Sequence, residues 1–439
     1  MNLTPEQQAI LNGEKGEVLA KVMKTLVMYG DAFGAEKLVP VTSKYGHTVI
    51  SFGINTMKPV YDLYDQLLAS GVKFQQKFTA DPLPLDPNVP SNLLQDLVFK
   101  QFMYKLQPRY EEQLRRMGMK DEKDFTCACY FDEVGNIPEK GEVLSWAESS
   151  AVVYANSVLG ARCNRNSGII DVMGSMLGYV PYFGLLTDEG RKATWVVEVK
   201  TTKKPEAQLL GSAIGMKVME DVPYIRGLDA WLGTELNKDN KAYLKDFGAA
   251  TASNGAVGLY HIEHLTPEAV EQGDALIAPG AQVYVVDDAE LERVKASYPV
   301  IWKNPNAKPK LAFIGCPHLT MDQLIDWIYS QLVGFFGNFF SAMGNMGVEL
   351  FDMPWVQSIV LFFSYLGWAL YGVCLVVAVF EVGIECQTGR ANVKDAALNA
   401  IKGFLAVGCF TLVPVELYKL SVTLQASLTA GITGYGEGF

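Results

Sequence analysis

The sequence predicts an α/β, multidomain region over residues 1–321, followed over residues 322–439 by two or three transmembrane α-helices. Three observations lead there. Up to about residue 318, charged stretches such as RYEEQLRRMGMKDEKDF alternate with short apolar runs such as VYVV and LAFIGC, the texture of a soluble α/β fold. Residues 355–380, WVQSIVLFFSYLGWALYGVCLVVAVF, contain no charged side chain. The cysteines divide at the same boundary, with Cys127, Cys129, Cys163 and Cys316 before it and Cys374, Cys386 and Cys409 after it.

At 439 residues the chain is long enough for several domains with a sizeable core. A net charge of −11 argues against a nucleic-acid partner, whose binding surface would cluster Lys and Arg. The N-terminus has no positive stretch leading into an apolar one, so no secretory signal is read, and residues 1–321 are expected in the cytoplasm. It reads as a capped helix instead. Thr4 is the N-cap, Pro5 takes the first helical position, and Gln7 sits where a capping box closes.

Several chemistries fall away in order along the chain. Phosphate-loop, H-E-x-x-H and G-x-S-x-G patterns are missing. In EAQLLGSAIG the residues before Gly211 look helical, so Gly211 and Gly215 serve close packing rather than a dinucleotide turn. His261 and His264 in HIEH follow the β-like AVGLY and mark a strand end rather than a helical metal pair.

Beyond residue 322 the expectation is membrane. A helix needs about 20 apolar residues to cross the hydrocarbon core, so 355–380 suffices with tilt. Residues 327–348 are also uncharged but broken by Gly, Asn and Ser, and fit either a span or a helix lying on the interface. Residues 401–424 form a third candidate, with Lys402, Glu416, Lys419 and a kink at Pro414. Arg390 and Lys394 in the preceding loop favour a cytoplasmic placement of that loop.

In a cytosolic region the first four cysteines are core thiols, reactive thiols or metal ligands. Along a strand, Cys127 and Cys129 would point to opposite faces; only a turn brings both to one metal. From spacing alone, each reads as a small buried hydrophobe. The block AESSAVVYANSVLGARCNRNSG is too polar for plain core and too apolar for plain loop. Glu148, Ser149, Ser150, Asn156, Ser157, Arg162, Asn164 and Arg165 offer donors and acceptors for a compact anion, and each arginine can grip a carboxylate or phosphate as a fork.

On these residues the chain resembles aconitase X, a divergent branch of the aconitase superfamily. The similarity runs from the N-terminus to about Thr320 and rests on three stretches: TCACYF through the block above, SNGAVGLYHIEHLTPEA, and FIGCPHLT. A weaker echo is VTSKYGHTVISFG, where His47 matches a family histidine. The resemblance implies an aconitase-like fold and a hydro-lyase of small hydroxy acids, with hydroxyproline and phosphorylated mevalonate among the family's substrates. It also implies an iron or iron–sulfur cluster, held here by Cys127 and Cys316. Ser149, Ser150 and His318 would then be catalytic. His47, Asn156, Ser157, Arg162, Asn164 and Arg165 would bind substrate. Cys163 and Cys129 stand where the family has other residues and are not expected as ligands.

The departures also matter. KFTADPLPLDP replaces the family's T-T-x-N-x segment, which leaves the substrate open. Family members continue beyond G-C-P-H with a further cysteine ligand, and they need a small swivelling subunit as partner. Here the chain passes without a Pro/Gly/Ser linker into a stretch that resembles an integral membrane protein of Gram-positive conjugative elements. That abrupt join implies a fusion of two unrelated reading frames. The alternative expectation is accordingly an inert chimera, membrane-anchored or part of a conjugative transfer apparatus.

Overall fold

The computed structural model describes residues 1–49, 54–85, 91–299, 304, 317–387, 393–409, 416–421, 423–424 and 427–428. It divides into two compact units, Met1–Thr320 and Met321–Phe439.

The first lobe of unit 1 opens with α1 (Pro5–Leu11) and α2 (Glu17–Ala32). The expected capping box is present: Thr4 Oγ1 accepts from Gln7 N at 3.2 Å, and Gln7 Oε1 accepts from Thr4 N at 3.0 Å. Next come β1 (Leu38–Pro40), β2 (Tyr45–Thr48), α3 (Lys58–Ala69) and β3 (Lys77–Ala80). After the short α4 (Leu93–Gln95), which runs into a π-helical turn, follow α5 (Gln107–Met117), α6 (Ser149–Tyr154), α7 (Gly168–Leu177) and β4 (Tyr179–Pro181). β1 pairs antiparallel with β4, and β2 pairs parallel with β3 in the register His47 to Thr79. Met23, Leu26, Tyr61, Phe78, Tyr110, Leu114 and Met176 fill the core between these helices.

The second lobe is a four-stranded parallel sheet in the order β7-β6-β5-β8. Its strands are β5 (Ala193–Lys200), β6 (Pro223–Arg226), β7 (His261–Ile262) and β8 (Ile277–Asp287). The connecting helices are α8 (Ala207–Val218), α9 (Asp229–Leu232), α10 (Lys238–Asn254) and α11 (Pro267–Gln272), with α12 (Asp288–Ser297) after the last strand. A Cβ on Gly211 would stand 2.5 Å from Phe247 O, and one on Gly215 2.8 Å from Thr251 O. The two glycines thus let α8 lie directly on α10, as the sequence led one to expect. His261 is a buried strand residue, whereas exposed His264 sits in the turn beyond at φ 61°.

Unit 2 contains α13 (Met321–Asp352), α14 (Pro354–Gln387) and α15 (Val393–Cys409). Among the described residues only Pro354–Ile384 is long and apolar enough to cross a membrane, so the expected count of two or three rests on sequence alone. The kink expected at Pro414 lies outside the described residues. α14 and α15 meet where the Tyr371 hydroxyl donates to Ala400 O at 2.9 Å and the Trp368 and Phe404 rings pack edge to face at 5.3 Å.

Candidate active site

The site grows from the parallel pair β2 and β3. Main-chain bonds from Thr126 N to Ala80 O (2.7 Å) and from Asp81 N to Thr48 O (3.1 Å) extend that pairing. They draw the segment 125–130 alongside, so that Asp81 and Cys127 follow adjacent backbone positions. The peptide after Trp146 joins from the other side through Ala147 N to His47 O at 3.3 Å.

The segment 126–130 is irregular backbone, a bend running into a turn, and not a strand. The objection to Cys127 and Cys129 sharing one site therefore disappears: both sulfurs are buried, and both lie within electrostatic reach of Tyr130. Cys129 also acts on His47.

His47 is fully buried. Its Nδ1 is hydrogen-bonded to Thr79 Oγ1 at 2.8 Å, and Asn136 Nδ2 holds the same hydroxyl at 2.9 Å. Its Nε2 faces Asp81 Oδ1 at 3.4 Å. Burial alone would lower the imidazole pKa, but Cys129 and Asp81 together raise it well above its ordinary value. Burial lifts the Asp81 carboxyl to about 6, with His47 pulling the other way.

Glu148 caps α6. Its carboxylate accepts from the backbone N–H of Ala151 and from Ser150 Oγ at 2.6 Å, and Ser149 Oγ lies 3.4 Å away. Glu148 is also the charge felt by Asp81, Tyr130 and Arg165. Around it, His47 Nε2 and Asp81 Oδ1 face each other at 3.4 Å, while, among the described residues, the Tyr130 hydroxyl and Arg165 Nη1 are buried without hydrogen-bond partners. Interior polar atoms are rarely left so. Two such atoms beside one carboxylate and a pair of thiols mark a place built to receive a polar group.

His318 joins from far along the chain. Its Nδ1 is hydrogen-bonded to Thr126 Oγ1 at 2.9 Å, and its backbone N–H donates to Cys127 Sγ at 3.4 Å. Burial, helped by the nearby Lys245 ammonium, lowers its pKa and keeps the ring neutral at pH 7. Cys316, two positions earlier, lies outside the described residues. Two soft sulfur donors on a buried bend suit an iron or iron–sulfur group.

The remaining expected residues are held by the scaffold. Asn156 donates to Cys163 O and Gly258 O, both at 2.8 Å, and accepts from Cys163 N at 2.9 Å. Ser157 Oγ accepts from Tyr260 N at 2.9 Å. Asn164 bridges Phe183 O and Leu185 N at 2.9 and 2.8 Å. Arg162 binds Leu186 O at 2.9 Å and pairs with Asp188. All four make hydrogen bonds within their own fold, whereas Arg165 Nη1 is buried without a partner among the described residues. Buried Cys163 bonds weakly to Trp146 O and Asn164 O, and burial pushes its thiol pKa well up. Sequence reasoning missed Asp81, Tyr130 and Lys245. Asp81 had a signal, since it lies in the departing segment KFTADPLPLDP, and Tyr130 directly follows the cysteine pair.

Comparison with known proteins identifies the family. Residues 1–189 match the aconitase X first domain and residues 193–296 the aconitase X second domain. The chain is 33% identical over 328 residues to the phosphomevalonate dehydratase large subunit of Thermococcus kodakarensis, covering 74% of this chain and 75% of that one. It is 34% identical over 337 residues to its counterpart in Methanocaldococcus jannaschii, covering 74% and 77%. With the cis-3-hydroxy-L-proline dehydratase of Hypocrea jecorina the identity is 28%, over 74% of this chain and 52% of that one. The crystal structure of holo-form aconitase X from Thermococcus kodakaraensis superposes with a TM-score of 0.56 at 32% identity, covering 68% and 69%. These relatives are dehydratases, and the class that fold and site define is the aconitase-type hydro-lyase. Within that class, the chain belongs to the aconitase X family. Residues 313–439 instead match the conjugal transfer protein TrbL.

Proposed function

We propose that residues 1–320 form the catalytic part of a hydro-lyase that dehydrates a small hydroxy acid. The observation that carries this is the buried Arg165 Nη1 and Tyr130 hydroxyl, without partners among the described residues, beside Glu148 and the Cys127–Cys129 bend. Cys127 and Cys316 would hold an iron or iron–sulfur group, which when bound supplies a Lewis acid for the leaving hydroxyl.

The chain's own residues do the rest. Arg165 turns its free Nη1 to the substrate carboxylate. Ser150 takes the proton from the carbon next to the hydroxyl as its own passes to Glu148, 2.6 Å away. Ser149 lies within reach of the same carboxylate. His47 and Asp81 offer a charged pair to the opposite end of the substrate. His318, neutral, orients the cysteine bend through Thr126. A separate small subunit completes the enzyme, as the name "large subunit" of the relatives suggests. Unit 2 anchors the chain in a membrane through Pro354–Ile384, with the catalytic part on the cytoplasmic side.

The full chain, purified anaerobically in detergent, should contain stoichiometric iron that Cys127→Ala and Cys316→Ala each abolish. A second reading, an inert chimera within a conjugative apparatus, draws on the TrbL match, which begins at residue 313, three positions before the C-P-H element. Iron missing from all three proteins would sink the first reading and leave the second.

A further inference from the structure

Lys245, on α10, is 1% exposed. Burying an ammonium is costly unless its donors are used, and here they are: Nζ lies 2.6 Å from Asp246 Oδ1 and 2.9 Å from His318 O. Neighbouring side chains on a helix do not face each other, so Lys245 and Asp246 must both bend toward one point to meet. From there Lys245 Nζ also reaches a backbone carbonyl 73 positions away. For stability alone an apolar residue would serve this interior position at least as well. The same His318 also binds Thr126 through its ring and Cys127 Sγ through its N–H. Lys245 therefore secures, from the second lobe, the peptide that covers the buried cysteine of the first.

We infer that Lys245 is a positioning residue for the metal-binding end of the site: its ammonium holds the His318 backbone against Cys127. The inference builds on the proposed iron site but can fail separately from it. Groups that orient ligands without touching the metal typically govern its affinity by about 10- to 100-fold.

The test uses the full chain in detergent with Lys245→Met, which keeps the stem and removes the charge. In competition with a chelator, iron affinity should fall by about 10-fold or more. In the metal-free protein, site-resolved alkylation by iodoacetamide should accelerate at least several-fold at Cys127 while Cys163, buried elsewhere in the core, keeps its rate. Equal acceleration at both thiols would mean that Lys245 merely supports the fold, and would overturn the proposal. So would unchanged alkylation of Cys127. A wild-type chain without iron would refute the iron site, while the alkylation rates would still decide the clamp. If Lys245→Met fails to fold, Asp246→Asn takes its place, with a smaller acceleration at Cys127 alone expected and an unchanged rate again overturning the clamp.

Discussion

Buried Arg191 ties together two of the matching sequence stretches, binding Glu268 of one and Asn156 of the other, and this link can be tested quantitatively. Arg191 is 1% and Glu268 8% exposed. The guanidinium donates from Nε to both carboxylate oxygens (2.8 and 3.1 Å) and from Nη2 to Oε2 at 2.9 Å. It also reaches Asn156 Oδ1 and Asn156 O, each at 3.1 Å, and Leu185 O at 2.9 Å. Burial draws the Arg191 pKa below its ordinary value, and Glu268 counters that. Glu268→Ala leaves the cation buried without its counter-charge, which costs about 3–5 kcal/mol. For a unit of this size that lowers the melting midpoint by roughly 8–15 °C. Arg191→Met should cost a similar amount, because it strands the carboxylate and three acceptors. The double variant should recover about 2 kcal/mol relative to the two single losses added, since two residues in contact couple. Near-ultraviolet circular dichroism of the detergent-solubilised chain, followed through thermal and urea unfolding, provides the measurement. Single variants within about 1 kcal/mol of wild type, or strictly additive losses, would refute the reasoning.

Other outcomes follow from the same geometry. The Asp81 carboxyl sits at about 6 in the folded chain, so from about pH 4 to 6 the fold retains a proton that the unfolded chain has released. Stability should thus decline as pH rises through that window, by roughly 3 kcal/mol at most, and Asp81→Asn should flatten the slope. Urea midpoints measured against pH check this, and parallel slopes for the two proteins would contradict it. Gly211→Ala sets a methyl 2.5 Å from Phe247 O and should cost about 2 kcal/mol by forcing α8 off α10, read as a midpoint lowered by roughly 5 °C. The full chain should stay in the membrane pellet after alkaline carbonate extraction, whereas deletion of residues 354–384 should release it; retention of the deleted form would count against α14 as the anchor.

How much of this was legible in the sequence depended on the range of the interaction involved. The capping box at Thr4 is a signal between residues three apart, and it reads directly from the chain. The close approach of α8 to α10 was legible because only glycine tolerates it. Short strands were not: β7 has two residues and β2 four, too few for an alternating pattern to register. Asn156, Ser157, Arg162 and Asn164 look like ligand-binding residues because they are polar in an apolar run. The same pattern arises when interior polar groups satisfy each other, and here they do. The bond of Thr126 to His318 spans 192 positions, and that of Lys245 to His318 spans 73. No local periodicity carries such information.

Glu148 holds two posts, closing the first turn of a helix and supplying the charge that Asp81, Tyr130 and Arg165 feel. Selection at that position therefore acts on foldability and chemistry in one step, and few replacements can satisfy both. Asp81 closes no helix; its backbone is fixed by the sheet, and its side chain faces His47. Drift toward a new substrate would thus run through residue 81, where a change of charge leaves the helix intact, while residue 148 stays constant.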